Sequence, residues 1–347
     1  MSCDCEKHIK RKFFPLKEYE FKDLKKVNLD YIPGVGHRNT KIYRSEELEK
    51  IYNRKNLCLK VFNTNQESLK WGTNDLFEAT VIQNLHSIDD KAPRVYDIIL
   101  ANGKVAQVTD YLKRIVKKWS SLEEKVRHYV YDKGEYFKYD YLDYVNDTIF
   151  ARWNFIKDKL IDFEGIEFKD FNKYHDSILK EIENGATGRA GIGLNYQIKQ
   201  RNIDLRWDKY KIENLKDKVV LDIGCNLGLF CQKAIEAGAK RVIGIDTPKA
   251  IESAKKLAYA DGYFNIDFYS ADLNGMTWEQ IQELANINEV DVIFFFAMSA
   301  YMGEPEWLNN CETLYFEGHR APQHQDKRLF YEKRNGKIIR EFYWENY

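Results

Sequence analysis

Three aspartates and one glycine turn carry the clearest chemistry in this chain. The apolar run Val219-Val220-Leu221-Asp222-Ile223 enters Gly224-Cys225-Asn226-Leu227-Gly228, and Asp246 closes the next apolar run, 24 residues beyond Asp222. A third acid, Asp272, follows the stretch Ile266 to Ser270 in an Ala-Asp-Leu step. Glycine lets backbone come close to a ligand where a Cβ would collide. An ionised carboxylate accepts hydrogen bonds from both hydroxyls of a vicinal diol. Strand, glycine turn, helix, strand and acid, in that order, is how an open α/β sheet holds an adenosine-containing cofactor at the carboxyl ends of its strands.

The flanking pattern supplies the elements that must position these groups. Spacing predicts strands at 219–223, 242–246, 266–270, 290–297 and 313–317, with helices over 229–237, 248–261 and 277–285. Val290 to Ala297 is an almost continuous apolar run, as a strand buried on both faces requires, and Phe294 to Phe296 read mainly as core. Residues 328–334 and 338–343 flank Asn335-Gly336 and predict an antiparallel hairpin. The sum is a mostly parallel sheet with an antiparallel edge.

Over residues 199–347 the chain resembles the class I S-adenosylmethionine-dependent methyltransferases, which have a Rossmann-like fold. Leu221 to Gly228 matches the first motif of that family, Asp246 its ribose-binding acid, Asp272 its adenine-side acid, and Asp291 to Ala297 its fourth motif. The resemblance implies S-adenosyl-L-methionine as cofactor, with no metal. It implies a cofactor site made of Asp222, Gly224, Cys225, Asn226, Gly228, Asp246, Thr247, Asp272, Leu273, Phe296 and Ala297. Backbone around Gly224 and Cys225 would lie against the methionine part, Asp246 on the ribose hydroxyls, Asp272 on the adenine amino group and Leu273 on a ring face. A dinucleotide enzyme is the competing reading. It would want G-x-G-x-x-G, whereas Asn226 stands where that pattern needs its second glycine.

In the same family, acceptor-side residues come from the ends of the fourth and fifth strands and from the segment entering the first. His319 is the expected general base, because an imidazole titrates near neutrality, with Glu317 or Tyr301 orienting it. Tyr196, Arg206, Trp207 and Ser299 are expected to face the substrate. A helix is expected over 202–218. The segment Tyr196 to Trp207 leading into Val219 is also similar to that of a subgroup including the tRNA wobble-uridine modifiers.

The region before 199 is read as two parts. Residues 1–112 form an α+β module with a lysine-rich, exposed lead-in up to about residue 30. Strands are expected at 41–44, 57–62, 94–100 and 105–112, a helix at 74–86, and a hairpin turn at Asn102-Gly103. That order resembles the small lobe of a protein kinase, with Lys60 on a strand and Glu78 on the helix as the family's ion pair. The departures are a Gly34-x-Gly36 loop without a third glycine and no His-Arg-Asp loop. The implied role is a vestigial or convergent module for substrate binding or assembly. Residues 113–198 are expected to be helical and connecting, with helices near 122–130, 139–156 and 171–182. A Gly-rich loop at 185–193 would be a linker or a lid.

Bulk properties bound the function classes. With 54 basic and 54 acidic residues the formal net charge is zero, so there is no global pull toward nucleic acid or anionic membrane. The six cysteines are scattered and no apolar leader is present, which predicts free thiols in the cytoplasm. Cys3-x-Cys5 with His8 lacks a second ligand pair for a metal. No run reaches the roughly 20 apolar residues of a membrane span. The expected function is methyl transfer to the oxygen or nitrogen of a small-molecule, glycan or phosphorylated-metabolite acceptor. The alternatives are an RNA methyltransferase using the Lys/Tyr-rich stretch 113–144, and a non-enzymatic cofactor-binding scaffold. The oligomeric state is not readable from the sequence.

Overall fold

The computed structural model describes residues 16–27, 40–62, 66–112, 135–139, 155–156, 159–160, 166–185, 203–320 and 327–345. Two compact units are distinguished: Met1–Tyr174 with Tyr259–Phe264, and His175–Ala258 with Asn265–Tyr347.

The first unit opens with β1 (Lys17–Tyr19) and β2 (Lys25–Lys26), then β3 (Thr40–Arg44), α1 (Glu46–Ile51), β4 (Leu57–Phe62), α2 (Gln66–Ile88), β5 (Val95–Ala101) and β6 (Lys104–Asp110). They build a six-stranded sheet in the order β1-β5-β6-β4-β3-β2. Leu57, Leu59, Ile99, Ala106 and Val108 form its core with Phe21 and Leu48. Asn102 and Gly103 both have positive φ, 49° and 72°, the conformation a two-residue hairpin needs.

Residues 16–27 of the lead-in are not simply exposed. Phe21 is buried, and Asn102 holds its backbone from both sides, accepting from its N–H at 2.7 Å and donating to its carbonyl at 3.0 Å. Asp23 accepts from the Ser45 hydroxyl at 2.5 Å and from the Glu46 N–H at 2.6 Å, so it reinforces the Ser45 cap of the unpredicted helix α1. The succession of two strands, a long helix and two strands is present as read. Glu78, however, accepts from the backbone N–H of Phe168 at 2.7 Å. Gly34 and Gly36 lie outside the described residues.

Short strands follow where helix was expected: β7 (Phe137–Tyr139), β8 (Phe155–Ile156), β9 (Lys159–Leu160) and β10 (Ile166–Phe168), before α3 (Phe171–Gly185). β7 pairs antiparallel with β10, which sets Phe137 opposite Phe168 with ring centroids 5.1 Å apart. His86 packs on Phe137 at the same separation. A cross-strand aromatic cluster overrides the local helical spacing here. Residues 122–130, most of 139–156, 186–193 and Tyr196 lie outside the described residues.

The second unit continues with α4 (Ile203–Tyr210), β11 (Val219–Ile223), α5 (Leu229–Glu236), β12 (Arg241–Asp246), α6 (Pro248–Ala260), β13 (Ile266–Ser270), α7 (Trp278–Ala285), β14 (Val290–Phe296), α8 (Ser299–Met302), β15 (Cys311–Arg320), β16 (Lys327–Arg334) and β17 (Lys337–Glu345). The sheet order is β13-β12-β11-β14-β15-β16-β17. β11 to β15 run parallel, and β16 and β17 form the antiparallel edge. This is a Rossmann-like arrangement, with the strand order reversing at β11. α4 is shorter than the helix expected over 202–218, because Lys211, Asn214 and Asp217 adopt positive φ and end helical geometry. Leu221, Ile223, Ile243, Ile293 and Phe295 are fully buried in one continuous core, which is why their strands read as mostly apolar runs.

Among the described residues, Cys58, Cys225, Cys231 and Cys311 are free thiols and no acid, histidine or cysteine cluster could hold a metal ion. No described helix is long and apolar enough to cross a membrane.

Candidate active site

Strand order reverses at β11, with β12 on one side and β14 on the other. Loops leaving the carboxyl ends of such strands diverge and leave a crevice. A cavity of about 480 Å³ lies there, within the range of small-molecule sites.

The glycine turn forms its floor. Gly224 and Cys225 donate their N–H groups to the Ile245 carbonyl at 2.9 and 3.2 Å, which ties the turn to β12. Gly224 has φ +73°, and a Cβ there would overlap the Met298 thioether. Gly228, at φ +71°, is the N-cap of α5, and a Cβ on it would lie 2.7 Å from the Phe268 ring. Both glycines therefore satisfy a backbone and a steric demand.

Asp246 is fixed by two backbone donors: Asn226 N–H to Oδ2 at 2.8 Å and Thr247 N–H to Oδ1 at 2.6 Å. Each oxygen keeps a lone pair for a further donor. Asn226, at φ +51°, presents a buried Oδ1 without a hydrogen-bond partner beside this carboxylate. An orphaned acceptor next to an acid suits a donor-bearing ligand such as an amine or a diol. Asp272 is an exposed part of the cavity lining, accepting from the Asn274 N–H at 3.1 Å, with Leu273 buried beside it.

Asp222 sits beneath the turn and is 3% exposed. Burial, with the negative charge of Asp246 adding to it, pushes its carboxyl up to about 7; the Cys231 thiol and Arg206 pull the other way. That thiol donates to Asp222 Oδ2 at 3.2 Å. Burial also pushes the Cys225 thiol up to about 11, so the thiol in the turn stays protonated at neutral pH.

The structure thus brings Asp222, Gly224, Cys225, Asn226, Asp246, Thr247, Asp272, Leu273, Phe296, Ala297 and Tyr301 to one cavity. Phe294 and Phe295 are fully buried core, while Phe296 reaches the wall. Ser299 begins α8 at the same end. Several expected acceptor-side residues stand elsewhere. Arg206 is 4% exposed and Glu317 1%, and they pair with each other. Arg328 reaches the other Glu317 oxygen at 2.5 Å, and the Tyr210 hydroxyl donates to the same carboxylate. Burial alone would raise the Glu317 carboxyl; the flanking guanidinium groups overcome it and hold it at about 2. Both oxygens of Glu317 are engaged in this cluster, so it braces the underside of the sheet instead of orienting a base, and Arg206 faces inward instead of toward a substrate. Trp207 is half-buried and packs against Phe230 and Phe294 at 6.0 and 6.2 Å, behind the wall rather than in the cavity lining. His319 lies on β15 two residues beyond Glu317, and its side chain is outside the described residues.

Residues not singled out from sequence also line the wall, among them Ile203, Phe230, Met298 and Met302. Met298 and Met302 were legible as one helical turn apart directly after the fourth strand; Ile203 and Phe230 carried no such signal.

Comparison with known proteins agrees with the geometry. Residues 214–318 match a family model described as a methyltransferase domain. Over 109 residues the chain is 33% identical to protein arginine N-methyltransferase 1 of Saccharomyces cerevisiae, covering 31% of this chain and 27% of that protein. Over 45 residues it is 49% identical to the tRNA U34 carboxymethyltransferase of Cellvibrio japonicus, covering 12% and 14%. The chain therefore spans about a quarter of the length of the first relative and about a seventh of the second. Among solved structures, it is similar to a Trypanosoma brucei protein arginine methyltransferase enzyme–prozyme complex with AdoHcy, at 24% identity and a TM-score of 0.27, over 33% of this chain and 34% of that one. The stretch this chain shares with known methyltransferase domains is residues 214–318.

Proposed function

We propose that the protein transfers a methyl group from S-adenosyl-L-methionine to a small-molecule acceptor, using the cavity at the β11 switch point. The observation that carries this is the pairing of a doubly anchored carboxylate, Asp246, with the orphaned acceptor of Asn226 over a glycine turn. When bound, the cofactor supplies an electrophilic methyl on a sulfonium sulfur. Everything else falls to the chain. Asp246 holds the ribose diol with the lone pairs its backbone donors leave open. Asn226 Oδ1 accepts from the ammonium or a hydroxyl. Asp272 and Leu273 address the adenine. Phe230, Phe296 and Met298 keep water from the reacting centre, where alignment is the main catalytic demand. His319, at the end of β15, takes the acceptor proton where the acceptor is a hydroxyl.

Glycans and phosphorylated metabolites belong to the same reading of the acceptor. RNA is the second reading, favoured by the 49% identity of one short segment to a tRNA-modifying enzyme. The first unit, with its kinase-like order of elements, would serve acceptor recognition or assembly.

Calorimetry with S-adenosyl-L-methionine tests the core of the proposal. Wild-type protein should bind at micromolar level. Asp246→Ala should lose about 100-fold or more, since hydrogen bonds to a charged group are worth roughly 1.5–3 kcal/mol each. Equal affinity of variant and wild type would remove Asp246 from the site.

A further inference from the structure

We infer that Cys225 and Cys231 form an oxidant-sensitive dithiol in the floor of the cavity, and that closing it into a disulfide expels the methyl donor. This rests on the methyltransferase reading of the cavity. Cys225 is the second residue of the glycine turn and lines the cavity. Its sulfur turns inward toward β12: a Cβ on Gly244 would stand 2.8 Å from it, so the glycine leaves the room that the thiol occupies. Cys231 is fully buried in the first turn of α5. Its thiol donates to Asp222 Oδ2 at 3.2 Å. The two thiols lie against each other, each acting on the acidity of the other through a side-chain hydrogen bond. Methyl transfer requires neither sulfur.

The arrangement supplies each part of a two-step oxidation. Hydrogen peroxide is small enough to enter the cavity, where it meets Cys225 first. The Cys225 sulfur gives two electrons to the peroxide, forming a sulfenic acid and releasing water. The Cys231 sulfur then attacks the sulfenic sulfur. Its proton passes by way of the Asp222 carboxyl to the departing oxygen, which leaves as a second water. One S–S bond has formed, two thiols are oxidised and one peroxide is reduced. A carboxyl pushed up to about 7 both takes and returns a proton near neutral pH. Burial holds both thiols protonated, so the first step is slow and answers sustained oxidant. The new bond draws the sulfurs to about 2.05 Å, which pulls Cys225 from its seat beside Gly244. The same turn carries the Gly224 and Cys225 N–H groups to the Ile245 carbonyl and the Asn226 N–H to Asp246. Moving it releases the carboxylate that holds the ribose. A donor bound in the cavity closes the path to Cys225 in return.

The test uses the full chain, freshly reduced, with and without saturating S-adenosylhomocysteine. After treatment with hydrogen peroxide the remaining thiols are alkylated and the peptides are mapped by mass spectrometry. Calorimetry gives the S-adenosylhomocysteine affinity before and after. A cross-link joining Cys225 to Cys231 should appear, and saturation with S-adenosylhomocysteine should suppress it. Affinity should fall about tenfold or more, the scale of one lost hydrogen bond to a charged group, and return with dithiothreitol. Cys231→Ser keeps a donor for Asp222, so it should bind S-adenosylhomocysteine as the wild type does; under peroxide it should carry a dimedone-reactive sulfenic acid at Cys225 and no cross-link there. The inference is overturned if peroxide leaves Cys225 and Cys231 unlinked, if the cross-linked protein binds as tightly as the reduced one, if bound S-adenosylhomocysteine gives no protection, or if the Cys231→Ser protein shows no sulfenic acid at Cys225. Failure of the reduced wild type to bind S-adenosylhomocysteine would instead overturn the reading of the cavity itself.

Discussion

Glu317 illustrates how a residue chosen for chemistry can turn out to be a brace. From the sequence it stands two positions before a histidine at the end of a strand, a reasonable place for an orienting acid. In three dimensions it is met by Arg206 and Tyr210 from 111 and 107 residues earlier and by Arg328 from the neighbouring strand. Side chains that far apart in the chain leave no local signal. Asp246 was legible because its role is local: its two donors come from Thr247 and from the turn 20 residues before it. The two acids should therefore respond differently to neutralisation. Glu317→Gln removes the charge that compensates two buried guanidinium groups and should cost about 3–5 kcal/mol of stability, read from urea unfolding. Affinity for S-adenosyl-L-methionine should stay near wild type under conditions where the variant is folded. A variant of wild-type stability with lost turnover would return Glu317 to the chemistry.

Among the elements, those of the second unit were the most legible. β11, β13 and β14 fall at or within one residue of the spans their apolar runs predict, because buried strands read as mostly apolar runs, broken here by one aspartate each, Asp222, Asp267 and Asp291. The end of α4 and the strand β7 were not legible. α4 ends where three residues take positive φ, which lysine and aspartate do not advertise, and β7 is held by aromatic partners from a distant strand. The glycine turn permits a finer prediction. Gly336, in the β16–β17 hairpin, has φ +77° and open space around its Cα, so Gly336→Ala carries a conformational cost alone, about 1 kcal/mol. Gly228→Ala adds the collision with Phe268 to the same backbone cost. It should destabilise by roughly 3 kcal/mol, since overpacking adds about 1–3 kcal/mol, and should also weaken cofactor binding. Thermal unfolding of the two variants side by side checks the difference; equal losses would mean that Phe268 moves aside freely.

Across the molecule the formal charge balances to zero, so its response to pH is governed by a few buried carboxyls rather than by net repulsion. Two of them in the second unit pull in opposite directions. Glu317 is held at about 2, so its ionised form stabilises the fold above the ordinary carboxylate range, and that contribution fades as pH falls from about 4.5 toward 2. Asp222 is pushed up to about 7. Between its ordinary value near 4 and 7 the folded state holds a proton that the unfolded state has released. Stability from this group is thus complete below about pH 4 and is lost as pH rises through 7. Full ionisation at Asp222 would cost on the order of 4 kcal/mol. In the first unit Asp97, which burial pushes up to about 6 and which accepts from the Tyr52 hydroxyl at 3.0 Å, adds a smaller slope of the same sign. Stability should therefore peak a little above pH 4 and decline toward pH 7. Asp222→Asn keeps the shape of the neutral carboxyl without its titration, so it should flatten the decline between about pH 4 and 7 while leaving the acid limb intact. Urea midpoints across that range decide the matter. An unchanged slope in Asp222→Asn would show that Asp222 is already ionised in the folded protein at pH 5, held so by Cys231 and Arg206.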